Sequence, residues 1–156
     1  MKFRKLGTAI ATGSLALATV LAAPSAGAHP QSHPQVAVLA LSKADAAYIK
    51  TLAKRVVEDI TELDIRVQDG IQVDTRMALL ANDFSQLATA GVPPKVKASL
   101  YVAKAKTLAN FAAMAADEYS VGDEMSGGAR YEIIRREAGS LLSMINKGLK
   151  TNIQLP

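Results

Sequence analysis

From Ser42 onward, large apolar side chains recur every three or four positions. Ile49, Leu52, Val56, Ile60, Leu63 and Val67 fall on one face of a helix, and Lys50, Lys54, Arg55, Glu58, Asp59 and Glu62 take the opposite, solvent-facing side. Ser42-x-x-Asp45 opens this segment as a capping box, the Ser hydroxyl taking one orphan N–H and the carboxylate reaching back to another. Asp69-Gly70 predicts the stop, with Gly at the left-handed position after the last turn. Asp74 then caps a second helix whose stripe is Val73, Met77, Leu80, Phe84 and Leu87. Were Gly70 not to break, one helix would run from Ser42 to about Ala90, at a cost of about 1 kcal/mol for the glycine. Asp-Gly followed by Asp-Thr supplies both a stop and a start, and favours the break.

Gly91-Val92-Pro93-Pro94 is the strongest punctuation in the chain, and the prolines suit the first turn of a third helix. That helix carries two interleaved stripes. One is Leu100, Ala103, Phe111 and Met114; the other is Tyr101, Ala105, Leu108, Ala112, Ala115 and Tyr119. An apolar face this wide predicts a helix that touches two neighbours at once. Ser120 to Gly128 reads as a polar loop. A last helix follows from about Ala129 to Lys147, with Tyr131, Ile134, Ala138, Leu141, Ile145 and Leu149 inside and Gly148 ending it. No alternating run of strand length appears. The expectation is an all-α, up-down bundle of three to four helices spanning 42–150, with a short tail over 151–156.

Ahead of this body the pattern changes. Lys2, Arg4 and Lys5 precede an uncharged run from Leu6 to Ala28 that closes on Ala26-Gly27-Ala28. A basic start, an apolar middle and an A-x-A end are the order of a secretory signal peptide, cleaved after Ala28. The run reaches spanning length, but it is rich in Ala, Gly, Thr and Ser, which favours cleavage over anchoring. Residues 29–41 read as a flexible lead-in, His29-Pro30-Gln31-Ser32-His33-Pro34 carrying two prolines in six positions. The localisation expected is secreted or extracytoplasmic, from a bacterial exporter.

The signal also changes the charge. The whole chain of 156 residues has 18 basic and 14 acidic side chains, net +4. Removing residues 1–28 takes three basic residues and no acidic one, leaving 128 residues and a net +1. A near-neutral body gives no support to a nucleic-acid partner. There is no cysteine and no tryptophan, and only three phenylalanines. An exported chain of this size without disulfides must stand on an aliphatic core.

The chemistry on offer is sparse. Both histidines, His29 and His33, lie in the lead-in. Cleavage after Ala28 would join the α-amine and imidazole of His29 in a copper chelate, with His33 as a third nitrogen; a tail that merely contains histidine is the commoner case. The helical body, lacking His and Cys, cannot assemble a Cys–His or Ser–His–Asp set or a Glu-x-x-His di-iron site. No cofactor is expected. Asp117-Glu118 and Asp123-Glu124 do not match a calcium-loop spacing. Arg66 and Arg76 flank the junction at Gly70, and in the one-helix reading Asp74 lies near the apolar seam. Lys95, Lys97, Lys104 and Lys106 make the start of the third helix basic, while Asp117, Glu118, Asp123 and Glu124 make its end acidic. This runs against the helix macrodipole, a choice that either marks an interaction surface or is simply tolerated, since it costs under about 1 kcal/mol per exposed charge.

Together these features predict an exported, non-enzymatic helical protein that binds a protein partner or itself, dimerisation included. Two alternatives stay open. One is a small lyase or isomerase using an Arg, Lys and carboxylate pocket around Arg66 and Arg76. The other is a carrier with an enclosed apolar cavity between the Leu100/Phe111 and Ile134/Ile145 faces.

Overall fold

The computed structural model describes residues 41–156; the expected signal peptide, its cleavage point and the lead-in as far as residue 40 lie outside the described residues. Those described are all-α: α1 (Lys43–Asp69), α2 (Val73–Thr89), α3 (Ala98–Ser120) and α4 (Glu124–Leu149). α1 and α3 each pack against both α2 and α4. Ile49, Leu52, Val56, Ile60 and Leu63 of α1, the whole expected α2 stripe, and Tyr131, Ile134, Ala138, Leu141 and Ile145 of α4 are buried together. Each large aliphatic side chain so buried contributes about 1.5–3 kcal/mol.

Polar contacts set the register. α1 and α2 run antiparallel, with Tyr48 bonded to Gln86 at one end and Arg66 to Gln72 at the other. α3 and α4 do the same through Lys104–Glu137 and Glu118–Arg130. Between α1 and α4, the buried Tyr131 hydroxyl donates to the Asp64 carboxylate at 2.7 Å and lies 3.0 Å from the Ile60 carbonyl. Burial, with Asp64 beside it, holds that phenol protonated well above its usual range.

The helix ends differ from the sequence expectation in instructive ways. Half of the expected capping box forms at the start of α1: the Asp45 N–H donates to Ser42 Oγ at 3.0 Å, but the Asp45 carboxylate accepts the Ser42 hydroxyl at 2.6 Å and not a backbone N–H. α1 stops at Gly70, left-handed at φ 66°. Asp74, however, is not the cap of α2. Gln72 takes that place at φ 55° with no side-chain cap bond. The Arg66 guanidinium holds this turn by donating to the Ile71 carbonyl and to Gln72 Oε1. Asp74 sits inside the first turn, where its charge favours the dipole.

Pro93 and Pro94 are not in the first turn of α3 either. Lys95 adopts φ 62°, and the helix begins only at Ala98. α4 starts earlier than expected, at Glu124, because Asp123 caps it by accepting the Ser126 N–H at 3.1 Å. Gly127 is helical, and it is small because the Tyr119 ring lies on it: a Cβ there would be 2.7 Å from Tyr119 Cε2. Gly148 does not end α4; it lies in the last turn against Pro93 and the Pro94 carbonyl, and Lys150 turns the chain at φ 53°. The last residues fold back along α4. The Asn146 side chain accepts the Ile153 N–H at 2.9 Å and donates to the Ile153 carbonyl at 2.7 Å, and Leu155 packs on the core.

Two glycines of α4 should therefore respond oppositely to alanine. A Cβ at Gly148 would fall 2.8 Å from the Pro94 carbonyl oxygen, whereas one at Gly139 meets only Leu155 at 3.9 Å. Gly148→Ala should lower stability by about 1–3 kcal/mol through overpacking. Gly139→Ala should raise it by up to about 1 kcal/mol through helix propensity. Urea unfolding of both variants checks the two signs.

Candidate functional site

The densest set of charges lies between α1 and α2. Asp59 and Asp83 are buried, Asp83 to 1% exposure. Arg55 Nη2 donates to Asp83 Oδ1 at 2.5 Å, and Arg76 Nη1 to Asp59 Oδ1 at 2.9 Å. Arg76 also pairs with Glu62, which Arg66 grips from the next turn of α1. Burial raises the pKa of Asp59, against the pull of Arg76, and burial raises that of Asp83 against Arg55. Glu62 goes the other way: the Arg66 hydrogen bond, with Arg76 behind it, holds it below the usual carboxylate range. Asp83 Oδ2 has no hydrogen-bond partner. The arginines and carboxylates here answer one another, which makes the cluster an ionic clasp between two helices.

A different surface runs along the outside of α3 and α4. α3 buries Tyr101, Ala105, Leu108, Ala112 and Ala115. The other stripe faces out, with Leu100 50% and Met114 46% exposed, Ala103 exposed and Phe111 half-buried. α3 does touch two neighbours at once, α2 and α4, as its wide apolar face predicts, and even so Leu100, Ala103 and Met114 of the second stripe stay exposed. Leu100, Ala103, Lys104, Thr107, Leu108, Phe111 and Glu137 line an open cleft of about 190 Å³. On its other side Leu100 lines a second cleft, of about 170 Å³, with Lys95, Val96, Lys97, Met144 and Lys147. Lys104 and Glu137 bridge the groove at 2.5 Å. Further along, the Arg130 guanidinium lies 5.8 Å from the Phe111 ring centre while gripping Glu118.

No protein-family model, curated protein or solved structure matches the chain. The side chains themselves carry the functional reading. His29 and His33, the expected copper ligands, lie outside the described residues. Arg66 and Arg76 do converge with a carboxylate, as the enzyme alternative requires, but the carboxylate is Glu62 and both guanidinium groups are engaged by it. Asp59 was expected on the solvent side of α1; it is buried because Arg76 crosses from α2 to meet it. Asp83 belongs to no motif in the sequence. Its position was a signal, since it stands three residues after Leu80 and four before Leu87, inside the apolar stripe. Asp117, Glu118, Asp123 and Glu124 gather no metal-binding group of three among the described residues. Ile134 and Ile145 face the core, so they do not wall the cleft that Leu100 and Phe111 line.

Removing Arg55 would strand the Asp83 carboxylate. Arg55→Ala should cost about 1–2 kcal/mol at neutral pH, below the range for a fully buried pair because Arg55 is 45% exposed. Asp83 already has a raised pKa in the folded state, and losing Arg55 raises it further. A raised folded pKa means the native state binds the extra proton first, so the deficit of the variant should shrink as pH falls through the folded pKa towards the ordinary aspartate value of 3.8. Adding Asp83→Leu should recover most of the loss at neutral pH. Thermal unfolding of the single and double variants between pH 4 and 7 checks both statements.

Proposed function

We propose that the chain is an exported, non-enzymatic helical module that works by protein–protein contact, self-association included. The observation that carries this reading is the outer stripe of α3: Leu100, Ala103 and Met114 are exposed at helical spacing, with Phe111 half-buried among them beside Arg130. Exposed apolar side chains aligned in this way mark a contact surface, whereas isolated ones do not. The charged cluster supports the same view from the other side, since its members are spent on holding α1 to α2.

The export half of the proposal rests on residues 1–28 and their cleavage after Ala28. Among the described residues no helix is long and apolar enough to cross a membrane, which is consistent with release after cleavage. In the same proposal the four helices alternate up and down around one core, each joined to the next by a short turn. A new amino terminus at His29 would also present the copper chelate of His29 and His33 to solvent.

Expression from the native signal, followed by amino-terminal sequencing of the exported product, should give His29 as the first residue. The mature protein should then show a partner-dependent or concentration-dependent mass in light scattering, and Leu100→Glu with Met114→Glu should abolish it without loss of helicity. A product that keeps residues 1–28 would overturn export by cleavage. A mature protein that stays monomeric and is retained by no envelope protein would overturn the contact reading.

A further inference from the structure

Resting on the reading of this chain as a contact module, we propose that its partner is a second copy, docked by a two-fold axis that sets the two α3 helices antiparallel along their outer stripes. The stripe itself is the first reason. Leu100, Thr107, Met114 and Val121 stand seven residues apart, with Ala103 and Phe111 between them. A seven-residue repeat on a helix is the seam of a helix–helix contact. The small side chains of Ala103 and Thr107 let the two backbones come close.

Charge decides the direction. Lys104 and Glu118, one from each end of α3, are neutralised within the chain by Glu137 and Arg130. Among the described residues Lys95, Lys97 and Lys147 at one end, and Asp117, Asp123 and Glu124 at the other, have no ion pair. Parallel α3 helices would set lysine against lysine and carboxylate against carboxylate. Antiparallel helices bring the basic cleft around Leu100 against the acidic turn after Ser120 of the other copy, twice over. The polarity that disfavours α3 as an isolated helix becomes favourable in this pair.

The arrangement also explains the exposed turn. Val121 and Met125, at 80% and 85%, are the most exposed large apolar side chains of the described region. In the antiparallel pair they lie opposite the cleft of about 170 Å³ that Val96, Leu100 and Met144 line. α3 has 23 residues, a length of about 35 Å at 1.5 Å per residue, so the seam can run the whole helix. Two-fold dimers are also the commonest closed assembly.

The absence of cysteine makes the orientation directly testable. Single-cysteine variants Lys97→Cys, Thr107→Cys and Val121→Cys of the mature protein would be treated with a short bis-maleimide, alongside light scattering of the unmodified protein. The expected results are a mass of two chains, efficient Thr107 self-crosslinking near the axis, and Lys97–Val121 crosslinks only when those two variants are mixed. Leu100→Glu should weaken association at least tenfold at unchanged helicity by circular dichroism, and raising salt should weaken it as well. Self-crosslinking of Lys97→Cys or of Val121→Cys would mean parallel helices and overturn the proposal. So would a mass above two chains with Thr107 uncrosslinked, the mark of head-to-tail growth. A monomer at every concentration also overturns it; if that monomer still holds an envelope protein through Leu100, the broader contact reading survives the loss of this one.

Discussion

Burial of aliphatic side chains along the helices carries the fold, because a chain with no cysteine has no covalent cross-link to share the task. Every other feature is arranged around that constraint. Two of the glycines of α4 stand where a neighbour presses on the backbone, Tyr119 at Gly127 and Pro93 at Gly148. The last residues fold onto the core instead of leaving it, with Asn146 serving as a surrogate peptide group for Ile153. Even between α1 and α4, one polar link runs through a phenol, Tyr131, whose ring is part of the core, beside the Arg135–Asp64 ion pair.

Charge enters this core at two points only among the described residues, Asp59 and Asp83. Both are reached by arginines from the facing helix, and both ionise less readily than a free carboxylate because burial outweighs the guanidinium. Such pairs add little net stability relative to apolar replacements of the same size. What they supply is alignment: a carboxylate buried in the α1–α2 seam is tolerated only when its arginine is opposite, which penalises any shift of one helix along the other. Arg66 extends this control to the turn itself by donating to Ile71 and Gln72.

α3 is the exception to economical burial. It packs against both α2 and α4 yet keeps Leu100, Ala103 and Met114 exposed, and its end charges oppose its own dipole. Inside a single copy both properties are unfavourable. Across an antiparallel pair both become useful, the spare stripe as contact area and the charge gradient as the device that selects direction. One physical account thus covers two oddities that the packing within a single chain leaves unexplained.

The helices, their inner faces and the break at Gly70 could be read from the residues alone, since hydrophobic period and a left-handed glycine are local properties. So could the imbalance of charge along α3. Folding in three dimensions settled the rest. Whether Gly127, Gly148, Pro93 and Pro94 lie in a helix or a turn depends on what packs against them, and local propensity carries no record of that. Asp59 looked solvated from its own helix and is buried because a residue 17 positions later crosses over it. Which of the two stripes on α3 would be covered was equally beyond local reach: both suit a core, and the number of neighbours is set by the other three helices.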